Sequence, residues 1–423
     1  VRGLVATLAC AFLMVSASAD AKPKGKSRIK TVVVALARHL DMAVEIDAQS
    51  RALEAKFRAV SARYARAHSI TPGSPYVGGT QRNNVAGNLR TFNETEVEAG
   101  MPIWLPGQRD AYESTVTSSV HEVEERLVWR RLEIAGLLRD AWWNAQRAAR
   151  NVSVARKRVA TAREIGADMA RRVELGEAAE ADALLSRNEM LAAETELEQL
   201  QGAEKVARVQ YAALTGGAQP DGTLELVHPA GYLDDHPALR APLAALARAE
   251  TQARLVEATP IDSPEVAIFG RQEHNRQYST DPSQERSDQR TDSTTVGVRI
   301  RIPLPTPGRN EPRRAEAEAE IVKAQAEYDR ARRIIEAEIA VARTSLAAAR
   351  RSEKIAAKRL AVANEQFGLA RKAFQLGEVS AVDLYRVQQI LLDAQRMRAS
   401  AGIDVGIAES RLNQALGYAP GSI

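Results

Sequence analysis

The chain has 423 residues, 45% of them apolar but only 4% aromatic. So few large rings argue against several compact cores and for long helices packed through thin, small-residue seams. Its 58 basic and 54 acidic residues leave a net charge of +4 with no basic cluster, which excludes a nucleic-acid footprint. The single cysteine, Cys10, excludes a disulfide framework and thiolate metal ligands.

Residues 1–19 read as a signal peptide: Arg2, an apolar run from Gly3 to Val15, then Ala17-Ser18-Ala19 ahead of charged sequence. The run is too short to span a bilayer. A buried N-terminal helix is the competing reading. Cleavage would remove Cys10, and too little apolar sequence precedes Leu8-Ala9-Cys10 for a lipoprotein site. Residues 20–42 are read as an N-terminal segment.

The remainder is duplicated at an offset of 201 residues, the interval between Gly176 and Gly377. Met101-Pro102-Ile103-Trp104-Leu105-Pro106-Gly107 recurs as Ile302-Pro303-Leu304-Pro305-Thr306-Pro307-Gly308. Leu175-Gly176-Glu177 with Asp182 recurs as Leu376-Gly377-Glu378 with Asp383. The first repeat, 43–217, is expected to comprise a helix 43–67, a β-hairpin 75–104, a long helix 109–174 and a return helix 177–214. After a linker over 218–236, the second repeat, 237–419, follows the same order: helix 237–258, hairpin 264–304, long helix 310–375 and return helix 379–416. In the first long helix Val116, Val120, Val123, Leu127, Ile134, Leu137, Ala141, Ala145, Val152, Ala155, Val159 and Ala162 step by threes and fours, a coiled-coil seam. A helix of this length spans about 100 Å, and the return and leading helices end to end nearly match it.

In the second hairpin Val296, Val298, Ile300, Ile302 and Leu304 alternate with Thr295, Gly297, Arg299, Arg301 and Pro303. In the first, Val97, Ala99, Met101 and Ile103 alternate more weakly with Glu96, Glu98, Gly100 and Pro102. Such strands suit a transmembrane barrel with lipid outside and water inside, and equally a soluble hairpin packed on a helix. The signal peptide and rod-length helices favour the barrel. Glu96, Glu98, Arg299 and Arg301 would then face the lumen, and 271–293 would be an extracellular loop. Pro264 to Arg271 is a plausible partner strand, while Pro75 to Gln81, with two glycines, is a poor one. Two hairpins cannot close a barrel, and open edges cannot face lipid. Two chains would give a plugged eight-stranded barrel; three would give twelve strands and a water-filled bore.

The junction Val298-Arg299-Ile300-Arg301-Ile302-Pro303-Leu304 with Pro307-Gly308-Arg309, the stretch Phe374-Gln375-Leu376-Gly377-Glu378-Val379 through Asp383-Leu384, the ending Leu412-Asn413-Gln414-Ala415-Leu416-Gly417 and His236-Pro237-Ala238-Leu239-Arg240 together resemble the TolC-like outer membrane efflux protein family. The resemblance covers about residues 40 to 419 and is stronger in the second half. It implies a mainly α fold with a small β part, in which duplicated α-helical hairpins continue a 12-stranded transmembrane barrel. It further implies a homotrimer in outer-membrane lipid, docked on a periplasmic adaptor and an inner-membrane pump. Gly176, Glu177, Gly377 and Glu378 would form the periplasmic tip. Asp383 and Asp182 fall near the family's acidic constriction, where three like charges would attract cations. Each Asp would also suit the first turn of a return helix on dipole grounds alone. Arg386 stands where some relatives carry a second acidic residue. Pro102, Pro106, Gly107, Pro303, Pro307 and Gly308 mark the strand-to-helix junctions.

No enzyme chemistry is legible. His39, His68, His121, His228, His236 and His274 form no metal motif, and no nucleophile elbow, phosphate loop or dinucleotide fingerprint occurs, so neither metal nor cofactor is expected. Paired carboxylates such as Glu124 and Glu125 suit a solvated helix face. Trp142 and Trp143 suit packing in the seam or midway along the rod better than a ligand box. The expected function is a passive exit duct of a tripartite efflux system. An exit duct for type I protein secretion shares the architecture, and a periplasmic adaptor or scaffold coiled coil is the reading from another class.

Overall fold

The computed structural model describes residues 26–84, 90–220, 227–229, 231–278 and 288–421. The expected signal peptide, its cleavage site and Cys10 lie outside them, as do parts of the linker and of the second hairpin's loop.

Helix α1 (Lys26–Ile46) stops at Asp47, whose extended backbone and side chain, accepting from the Ser50 amide, start α2 (Ala48–Ser61). A single turn, α3 (Tyr64–Ala67), leads to strands β1 (Tyr76–Asn83) and β2 (Arg90–Pro102). Then come the long helix α4 (Gln108–Glu174) and the return helix α5 (Glu180–Thr215). The second repeat comprises α6 (Pro237–Glu257), β3 (Glu265–Tyr278), β4 (Asp288–Arg301), α7 (Pro307–Gln375) and α8 (Ala381–Ala415). The four strands form one antiparallel sheet in chain order.

Four expectations are corrected. The segment 20–42 is helical from Lys26, and the leading helix of the first repeat is broken at Asp47 because that side chain caps a new helix. Leu137 faces solvent at 53% exposure while Leu138 is fully buried, so the seam shifts by one residue where α1 packs across α4. Most of the expected loop 271–293 is strand, since polar partners such as His274 and Asp292 continue the ladder outwards. The poor partner strand is also present. Gly78 lies opposite Glu98, and a Cβ there would sit 3.1 Å from the Glu98 side chain, so glycine leaves that carboxylate its place.

The repeat survives as hydrogen bonds. At the first tip Gly176 has φ 76° and Glu177 N donates to Arg172 O; at the second Gly377 has φ 79° and Glu378 N donates to Ala373 O. Both are left-handed helix C-caps that glycine adopts without a Cβ penalty. Midway along the rod Leu40, Ile134, Leu138, Trp142, Trp143 and Tyr211 form the largest core. Within it, the Trp143 indole donates to Ser410 Oγ at 2.8 Å, His39 meets the Tyr211 hydroxyl at 2.8 Å, and Arg139 donates to Tyr418 O at 2.8 Å. Trp142 and Trp143 are thus structural, stacked edge to face with centroids 4.6 Å apart.

Candidate functional site: two sheet faces and two helical tips

Cross-strand partners share a face, so the register sorts every strand residue to one side or the other. One face carries Val77, Val97, Ala99 and Met101, then Val266, Ile268, Val296, Val298 and Ile300; Ala99 lies between Val77 and Ile268, and Ile268 pairs onward with Val298. Val77, Val296 and Val298 stand 78%, 76% and 65% exposed, a contiguous aliphatic surface that nothing among the described residues covers. Surface of that kind and extent marks contact with an apolar phase or another protein.

The opposite face is an ion-pair lattice. Arg299 of β4 reaches over β3 to Glu96 and Glu98 of β2, and Arg271 of β3 donates to Glu96 at 2.7 Å and lies 3.4 Å from Glu94. Both guanidiniums lie over the Phe269 ring, at 5.0 Å for Arg299 and 5.7 Å for Arg271. Glu94 and Glu96 are buried beneath these side chains, and Arg82 of β1 closes on Glu94. The expected lumen set is therefore brought together for Glu96, Glu98 and Arg299. Arg301 stands apart, paired with Glu265 at 3.2 Å. Sequence reasoning missed Glu94, Arg271 and Phe269, which belong to β2 and β3 and show only once the register is known.

The strand-to-helix junctions differ between repeats. Gly107, at φ 75°, precedes α4, whereas Thr306 precedes α7, Pro307 fills its first turn and Gly308 is helical. Pro102 ends β2, and Pro106 and Pro303 lie in the connecting turns. Trp104 anchors the first junction by donating to Ser69 O at 3.2 Å.

At the far end Glu177 and Glu378 are exposed beside Gly176 and Gly377. Ser380 caps α8: its Oγ accepts from the Asp383 amide at 3.2 Å and donates to Asp383 Oδ2 at 2.7 Å. Arg386 lies 3.4 Å from Asp383 Oδ1. Asp383 and Arg386 thus form an exposed pair on one turn, and Asp182 is half-buried at the equivalent place on α5.

The tips hold polar ties that the sequence did not disclose. Tyr385 of α8 donates to Ser186 of α5 at 2.7 Å in a buried position, and burial pushes the Tyr385 phenol up, so it keeps its proton. Arg172 of α4 lies 4.4 Å over the Phe374 ring and donates to the Phe374 carbonyl at 3.1 Å. Because neither pair sits at repeat-equivalent positions, the duplication that revealed the fold concealed them.

Two buried carboxylates lie along the rod. Glu122 and Glu125 on α4 pair with Arg248 and Arg240 of α6. Among the described residues no group of three or more His, Cys, Asp or Glu is placed to hold a metal ion, and no helix is long and apolar enough to cross a membrane.

Residues 231–418 match the family described as outer membrane efflux protein. That match spans the second repeat of the chain. The solved structures of these efflux proteins and their like share its fold. The outer membrane protein VceC of Vibrio cholerae superposes with a TM-score of 0.69 at 17% identity, covering 91% of this chain and 96% of its own. A membrane protein of Pseudomonas aeruginosa gives 0.71 at 18%, covering 95% and 96%. The open state of the Neisseria gonorrhoeae MtrE outer membrane channel gives 0.69 at 17%, covering 90% and 88%. No curated protein matches the sequence.

Proposed function

We propose that this chain is the outer-membrane exit duct of a tripartite efflux system, a passive path built from three copies. The observation that carries this is a sheet with one face aliphatic over its helix-proximal half, one ion-paired face and two unpaired edges, mounted on helices that reach about 100 Å. In lipid such edges must be paired, and no helix among the described residues offers a substitute span.

Repeat symmetry supplies the partner. Within the chain β2 pairs with β3 and α4 lies against α8, each a contact from the first repeat to the second. The equivalent contacts from the second repeat to a first repeat are β4 with β1, and α7 with α5. Among the described residues β4 does not pair with β1 and α7 makes no extended contact with α5, and a neighbouring copy offers both. The free side of α7 is prepared for it: Ile334, Val341, Ile355, Val362, Leu369 and Leu376 stand exposed at multiples of seven residues, with Ala348 filling the gap. A heptad stripe of that kind is a coiled-coil seam awaiting a helix. Three copies give twelve strands, the first number to leave a water-filled bore.

The aliphatic face then meets lipid and the ion-pair lattice lines the bore. Adaptor and pump would engage the tips at Gly176, Glu177, Gly377 and Glu378, the helical ends farthest from the sheet. Asp383, with Asp182 on the companion hairpin, would form the cationic attraction near the mouth, tempered by Arg386. Replacement of Asp383 by Ala should lower cation selectivity across planar bilayers; an unchanged reversal potential would remove that role.

The decisive experiment is fractionation followed by conductance. Trimers that resist dissociation in detergent, sediment with outer membranes and form steady pores in bilayers are expected. A soluble periplasmic monomer would instead indicate an adaptor or scaffold. The same pores would serve type I protein secretion, which the identity of the inner-membrane partner separates.

A further inference from the structure

We infer that three glycines on the ion-paired face are slots that lay neighbouring side chains flat against the wall, and so set the width of the bore for solutes larger than hydrated ions. The inference rests on the duct proposed above, in which that face lines the passage. The contacts that carry it lie within the sheet of one chain.

The strands carry glycine at 78, 79, 100, 270 and 297, and the register divides them by face. Gly78, Gly100 and Gly297 lie on the ion-paired side, opposite Glu98, Tyr76 and Phe269 respectively. Each of these partners leans over its glycine. A Cβ on Gly297 would sit 2.6 Å from the Phe269 ring, one on Gly100 2.7 Å from the Tyr76 ring, and one on Gly78 3.1 Å from the Glu98 side chain. Gly79 and Gly270 lie on the aliphatic side, and among the described residues no side chain comes within 4 Å of a Cβ at either. The filled slots are thus confined to one face, which a general tendency to cover strand glycines would not produce.

The Phe269 slot is hemmed in as well. Arg271 and Arg299 lie over that ring, at 5.7 and 5.0 Å from its centre, while they hold Glu94, Glu96 and Glu98. Ala267, the preceding residue on the same face of β3, is buried. A ring displaced from Gly297 therefore finds the wall on either side occupied, and the open direction is into the bore. A barrel of about eight strands is filled by its own side chains and one of roughly sixteen to eighteen holds an aqueous channel, so between them the height of the inner side chains decides what passes. Lying flat, Tyr76, Glu98 and Phe269 add little to that height, and each copy repeats the arrangement around the bore.

The test is size-graded thiol labelling on whole cells. The full chain carries Cys10→Ala and Arg301→Cys, which puts a reporter thiol on the bore side, beyond the slots as seen from the hairpin loops. N-ethylmaleimide and polyethylene-glycol maleimides of rising mass are added outside, so the polymers reach that thiol only through the sheet end of the bore. Gly297→Ala should slow labelling by the largest admitted polymer several-fold and leave N-ethylmaleimide at the parent rate. Adding Phe269→Ala to Gly297→Ala should restore the parent cut-off, because no ring is left to lift; a slot that served packing alone would not be rescued in this way. Gly79→Ala and Gly270→Ala, on the other face, should change nothing. Gly100→Ala is the second arm if Gly297→Ala trimers do not assemble. Unchanged cut-offs in the variant trimers, narrowing that persists without the ring, loss of assembly in both arms, or a parent bore that refuses every polymer overturns the inference and leaves the duct reading standing. A parent chain released as a soluble periplasmic protein overturns both.

Discussion

The ion pair between Asp47 and Arg130 offers a quantitative test of how the broken leading helix is held on the rod. Asp47 receives Arg130 Nη2 on Oδ1 at 2.8 Å and Nε on Oδ2 at 3.0 Å, a two-pronged contact, while its Oδ2 also caps α2. The Arg130 hydrogen bonds hold its carboxyl at about 2 against an ordinary 3.8, and the same bonds raise Arg130. The two side chains are only 18% and 19% exposed, so solvent screening removes little of the interaction. A depression of this size corresponds to about 2 kcal/mol of coupling. Because the folded carboxyl titrates below the unfolded one, the contribution is complete above about pH 4 and is lost as pH falls through about 2. The assay is a double-mutant cycle of Asp47→Ala and Arg130→Ala, read as urea unfolding of the helical circular-dichroism signal in detergent. Cap loss and general acid effects enter both arms of the cycle and cancel. Coupling near 2 kcal/mol at pH 7 that shrinks towards zero at pH 2 is expected; a coupling below about 0.5 kcal/mol at pH 7, or one independent of pH, would refute the reasoning.

Three further outcomes are expected. Val298→Arg places a charge in the middle of the exposed aliphatic face and should cost about 2–4 kcal/mol per copy in the bilayer, read as loss of trimer from outer-membrane fractions; Thr295→Arg, on the opposite face, should be tolerated. Gly406→Ala drives a methyl to 2.0 Å from the Trp143 ring and should destabilise the core midway along the rod by about 1–3 kcal/mol, visible as a lower urea midpoint with Trp fluorescence moved to the red. Glu96→Gln frees Arg271 and Arg299 of their shared carboxylate and should shift the pore towards anions, measured as the reversal potential in a salt gradient.

How much was legible in the sequence follows from which signals are local. Turn glycines, junction prolines and the alternation from Val296 to Leu304 are carried by neighbouring residues, so helix order, the two tips and the aliphatic strand could be read directly. The duplication doubled those signals and dated each element against its twin. What escaped depended on pairing across the chain. Arg271 looks like a loop residue until the register sets it opposite Glu96. Tyr385 is one aromatic on an amphipathic helix until Ser186, far off in sequence, closes on it. Leu137 was misplaced because α1 crosses α4 there, and two adjacent leucines satisfy the same heptad equally well without it. Asp383 was legible as a position but not as a role, since Ser380 and Arg386 engage it locally and a lone copy cannot display a ring.

The bare margins of β1 and β4 also bear on biogenesis. A single copy delivered to the outer membrane would present unsatisfied amides and carbonyls to hydrocarbon, and one left in the aqueous compartment would present its oily side to every other unfolded chain. In the proposed trimeric duct either would be an intermediate that cannot accumulate safely, which favours insertion and association as one concerted event. On that reading, expression level would act twice, through supply and through the odds that three copies meet before aggregation does.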